Sequence, residues 1–137
     1  MALNLHVTVG ASGSASLRVA EEHTAARVGS GTIAVLATPV MINVLEAAAL
    51  AACELHLPKG HQSLGTNLNI SHIAATPVGM QITAHVVVTK VEGRKIFMQV
   101  EVHDERDLIG HGTHERVVVD VAKFDLRVQE KVALLKK

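Results

Sequence analysis

Apolar and polar positions alternate in some stretches of these 137 residues and run together in others, and the changes mark the elements. Leu3, Leu5, Val7 and Val9 alternate with polar residues, which predicts a strand. The run Gly10-Ala11-Ser12-Gly13-Ser14 breaks it. Ser16 to Ala20 fits a second strand, and Glu21 to Val28 a turn or short helix before another breaker at Gly29-Ser30-Gly31. From Val40 to Leu57 good helix formers dominate, and Pro58 with Gly60 stops the run. Thr38 is placed to cap this helix through its hydroxyl, with Pro39 at the first position, where a missing N–H costs nothing. Apolar residues here (Val40, Met41, Ile42, Val44, Leu45, Leu50, Cys53, Leu55 and the alanines between them) go nearly all the way round, so the helix is expected to be buried on most sides.

After Gly60 the period changes to two and stays there. Leu64 to Ala74 reads as a strand and Pro77-Val78-Gly79 as a turn. Met80, Ile82, Ala84, Val86 and Val88 then alternate with polar neighbours, a strand with one buried face. Glu92-Gly93-Arg94 turns into Ile96, Met98, Val100 and Val102, and Asp104 to Asp107 turns into a last strand over Leu108 to Phe124. Val128 to Lys137 fits a short amphipathic helix. The expected α+β architecture is one domain over residues 1–137, a long antiparallel sheet wrapped around a central apolar helix.

Composition removes several functions. Lys plus Arg equals Asp plus Glu at 13 each, so the basic excess of a nucleic-acid binder is missing. With Phe97 and Phe124 as the only aromatic residues, no stacking platform for bases can be built. Cys53 is alone, which excludes an internal disulfide and every multi-cysteine zinc pattern. No apolar run reaches the roughly 18 residues of a membrane span, and the N-terminus lacks a secretory pattern, so a cytoplasmic protein away from membranes is expected. A mean hydropathy of +0.29 in so short a chain leaves apolar surface for a subunit interface.

Glu46 is the chemical anomaly. Among alanines and leucines in mid-helix, a carboxylate needs either a solvated stripe or a role as base or nucleophile. Thr38 and Glu46 are eight residues apart, roughly 12 Å along a helix axis and about 80° around it, so a straight helix keeps them from touching. His111 and His114 lie three apart on a presumed strand and point to opposite faces, which argues against a shared metal. His72 sits between Ile70 and Ile73 near a strand end, as a structural or a functional histidine. No phosphate-cradling glycine motif occurs, and no cofactor is expected.

Ser63-Leu64-Gly65-Thr66, Ser71 to Pro77, Val91-Glu92-Gly93-Arg94 and Gly110-His111-Gly112-Thr113-His114-Glu115-Arg116 together resemble the fluoroacetyl-CoA thioesterase family of hotdog proteins, over about Thr38 to Lys131. The resemblance implies a hotdog fold working as a homodimer, with assembly to a tetramer as the larger alternative. It implies Thr38, Glu46 and His72 as catalytic residues and Gly65 and Arg116 as substrate contacts. It further implies hydrolysis of an acyl-CoA thioester, with an enoyl-CoA hydratase or a non-catalytic acyl-CoA binder as rival readings on one scaffold. The family's phenylalanine-bearing lid has no counterpart in Glu21 to Leu36, which contains no aromatic residue, so the expected substrate class stays at acyl-CoA.

Overall fold

The computed structural model describes residues 4–136. A five-stranded antiparallel sheet holds β1 (Ser12–Arg18), β2 (His61–His72), β3 (Gln81–Glu92), β4 (Lys95–His103) and β5 (Leu108–Asp120) in the order β1-β3-β4-β5-β2. A long helix, α2 (Thr38–Cys53), continued by a 3₁₀ turn over Glu54–His56, lies against one face of the sheet. The short α1 (Ala25–Val28) precedes it, and α3 (Val121–Leu134) closes the chain.

Strict alternation builds the core. Ile82, Ala84, Val86 and Val88 of β3 and Ile96, Met98, Val100 and Val102 of β4 meet Met41, Leu45, Ala48, Ala49 and Ala52 of α2, all buried. Each fully buried Val, Leu, Ile or Met is worth roughly 1.5–3 kcal/mol, so this face dominates the fold's stability. Alanines at 48, 49 and 52 let the helix backbone approach β1 closely. A Cβ added to Gly13 would lie 2.5 Å from Ala52 N and closer still to the Ala48 carbonyl.

Several expectations need correction. Leu3 lies outside the described residues, and 4–8 form no strand: His6 adopts φ 58°, which breaks an extended run, although Leu5 and Val7 still enter the core. The presumed breaker at Gly10 to Ser14 instead contains the start of β1. The last strand stops at Asp120, whose side chain accepts from Lys123 N–H at 3.2 Å and caps α3, so Val121 to Phe124 are helical. The long helix is covered on one side only, with Asn43, Ala47, Leu50 and Ala51 exposed. By length and composition residues 38–56 are apolar enough to cross a membrane, but this is the core helix, packed through its other side on the sheet.

β2 forms one edge of the sheet, and its register decides the site. Gly65 pairs with Arg116 and Asn67 with Glu115, leaving Thr66 as a bulge. Side chains alternate by two along a strand, so one extra residue changes the parity. Gly65 and His72 would point to opposite faces of a regular strand. The bulge puts both on the face shared with Gly110, His114, Arg116 and Val118 of β5.

Candidate active site

Thr38 is the first residue of α2, not its cap. Ala37 holds the cap position with an extended backbone, and no side chain accepts from the helix's first N–H groups. The Thr38 hydroxyl is thereby released toward β2, where Oγ1 lies 2.7 Å from His72 Nδ1. Burial pushes the His72 imidazole below its ordinary value, against the opposing pull of the nearby Ala74 backbone carbonyl. Its Nε2 is buried and has no partner among the described residues. Thr38 and His72 lie at one side of a cleft of about 580 Å³, walled by Ile33, Leu36, Ile73 and Ala75. The positive end of the α2 dipole falls in the same place.

Glu46 stands in a second group, two helical turns further on. Its side chain is 36% exposed rather than enclosed, and Oε2 is 3.5 Å from Arg116 Nη1. The premise of an unpartnered, enclosed carboxylate therefore fails. Arg116 is buried and also reaches Ser63 and His114. Gly65 sits directly against this group, since a Cβ there would be 2.6 Å from Glu46 Oε2 and 3.1 Å from His114 Cε1. The five expected residues thus fall into two groups, Thr38 with His72 and Glu46 with Gly65 and Arg116. No hydrogen bond among the described residues joins them.

Two residues escaped the reading of the sequence. His114 shares its face of β5 with Arg116, two positions on, and a period-two reading centred on Arg116 finds it. Glu54, in the 3₁₀ turn after α2, accepts from both the N–H and the hydroxyl of Ser63 at 2.7 and 2.9 Å. That partnership crosses from helix end to strand, and nothing local marks it.

The sequence profile described as fluoroacetyl-CoA-specific thioesterase matches residues 19–122, more than half of the chain. The chain belongs to this family. A curated fluoroacetyl-CoA thioesterase of Streptantibioticus cattleyicolor is 41% identical over 97 residues, 71% of this chain and 70% of that protein. A solved fluoroacetyl-CoA thioesterase structure superposes with a TM-score of 0.86 at 34% identity, covering 91% of this chain and 97% of the other. A Thermus thermophilus protein of the thioesterase superfamily superposes at 0.88 with 25% identity, covering 95% and 96%. The architecture is the hotdog expected from the resemblance, and membership makes the chain a thioester hydrolase of the acyl-CoA class. The family supports neither the hydratase nor the non-catalytic binder.

Proposed function

We propose that Thr38, Glu46 and His72 carry the hydrolysis of an acyl-CoA thioester to a carboxylic acid and free CoA. The reading rests above all on the 2.7 Å Thr38–His72 hydrogen bond beside the cleft, which leaves His72 Nε2 unpartnered. A neutral imidazole in that setting exchanges a proton with the attacking or leaving group. Glu46 supplies the carboxylate that attacks the thioester carbonyl or delivers water to it. Thr38 holds His72 in place, and the start of α2 favours the developing oxyanion. Gly65 keeps the approach to Glu46 open, beside Arg116. CoA as the leaving group fits a cytoplasmic enzyme.

Two copies supply what one protomer lacks. The twelve-residue edge β2 offers unpaired backbone groups, and Leu64, Leu68 and, on the helix, Leu50 are exposed nearby. Antiparallel pairing of β2 with its copy, centred on Asn69 with Thr66 bulged out, would set His72 across from the partner's Gly65. Thr38 and His72 of one protomer would then face the partner's Glu46 across a shared cleft. This explains a helix apolar on the side its own sheet leaves bare. One hotdog domain per protomer and a homodimer are the working unit, and light scattering should give twice 14.5 kDa, or four times if dimers pair again.

Thiol release over short, branched and aromatic acyl-CoAs, followed against pH, tests the site. Because burial lowers the His72 value, the neutral form persists to below pH 6.5. The acid limb of kcat/KM is therefore expected below 6.5, and the His72→Gln variant should lose that limb along with most of its rate. An unaltered limb in the variant would remove His72 from the chemistry. Gly65→Ala provides a steric check. Its Cβ would strike the flexible end of Glu46 and crowd the held ring of His114, so the melting temperature should fall by a few degrees while kcat falls about 10- to 100-fold. An undiminished kcat would place the reacting atoms elsewhere.

A further inference from the structure

We propose that Glu54, Ser63 and His114 are positioning residues that preset the Arg116 guanidinium beside Glu46. The inference rests on Glu46 being the reacting carboxylate and extends it to the framework behind that group.

Arg116 is 4% exposed, and its N–H groups are committed one by one. Nε donates to Ser63 Oγ at 2.8 Å and Nη2 to the Ser63 carbonyl at 3.1 Å. Nη1 donates to His114 Nε2 at 3.0 Å and faces Glu46 Oε2 at 3.5 Å. Each close acceptor is fixed in turn. A hydroxyl has one proton, and Ser63 gives it to Glu54 Oε2, so its lone pairs must face Arg116. Glu54 Oε1 also takes the Ser63 N–H at 2.7 Å, which holds the serine at two points. The Asn67 carbonyl lies 2.9 Å from His114 Nδ1 and can only accept, so Nδ1 carries the proton and Nε2 is the acceptor.

The network requires His114 to be neutral. Burial lowers its value, and Arg116 adds to that, against the Asn67 hydrogen bond and the charges of Glu46 and Glu115. With three acceptors locked from β2 and β5, Arg116 has no rotamer freedom left to lose during reaction. Its one long contact points to Glu46, the partly exposed member. A cation held this way presents a preorganised charge beside the reacting carboxylate, with no reorganisation at the moment of bond making.

The test is a set of variants assayed by thiol release, each in the full chain. His114→Leu removes the acceptor for Nη1, and Ser63→Ala the one for Nε. Each should lower kcat about ten- to a hundredfold, the weight of one charge-assisted hydrogen bond, with KM changed less. His114→Gln can donate to Asn67 and accept from Arg116, so it should recover most of the rate. In an Arg116→Gln background, His114→Leu should cause no further fall in kcat, because both changes act through one group. Folded His114→Leu and Ser63→Ala proteins with wild-type kcat would overturn the proposal. Equal losses from His114→Gln and His114→Leu, or fully additive losses on Arg116→Gln, would also overturn it. If His114→Leu does not fold, Ser63→Ala and Glu54→Gln decide by the same kcat criterion. Failure of the underlying reading looks different: there Glu46→Gln itself keeps its rate.

Discussion

Replacing Glu46 with Gln should lower the turnover of an acyl-CoA thioester by about 10²- to 10⁴-fold, the usual weight of a positioned general base. The change is nearly isosteric and removes only the charge and the nucleophilic oxygen. Arg116 keeps its three closer acceptors, on Ser63 and His114, so the fold has little reason to suffer. The 3.5 Å ion pair is long and its acidic partner is about one-third exposed, which limits what it contributes to stability. The melting temperature should accordingly move by only a few degrees while thiol release collapses. Following the first turnover separates the two routes, since a burst of free thiol in Glu46→Asp or Thr38→Ala marks an accumulating acyl-enzyme. Full activity in both Glu46→Gln and Thr38→Ala would show that the site lies elsewhere.

The second large effect is on folding. Gly13→Ala should lower the melting temperature by roughly 5–15 °C, an overpacking cost of about 1–3 kcal/mol. The added carbon would meet backbone atoms of Ala48, Ala51 and Ala52, which cannot swing aside as a side-chain end can. Strand β1 would have to lift off the helix, or the helix to shift along the sheet. Ser14→Ala, one residue on and exposed, is the control and should leave the midpoint nearly unchanged. Equal melting temperatures for wild type and Gly13→Ala would mean that β1 does not seat on α2 as described.

Gly13 also illustrates how local reading fails. A serine- and glycine-rich run looks like a breaker because propensity scores the residues alone. Its place in a strand follows from the partner, where small residues on both sides permit close contact between helix and sheet. Thr38 is similar. Beside a helix start a threonine is a good cap by propensity, but Ala37 takes the cap position and His72, 34 residues later, takes the hydroxyl. Glu46 was conspicuous because a carboxylate among alanines stands out, yet its partner Arg116 is 70 residues away and only the β2–β5 register makes the pair. Family resemblance pointed to all five expected residues, and the structure sorted them into two groups.

Periodicity in the sequence alone determined the helix, the four strands after it and the faces that β3 and β4 bury, because a repeat of 2 records one-sided burial directly. A single cysteine excluded an internal disulfide, since that demands a second one. Tertiary structure alone decided the bulge at Thr66, where one unpaired residue turns Gly65 and His72 onto the same face. It alone left one side of α2 bare and tied Glu54, Ser63, His114 and Arg116 into a single set. A bulge depends on the register of two strands and a hydrogen-bond network on residues far apart in the chain, so neither leaves a period in the sequence.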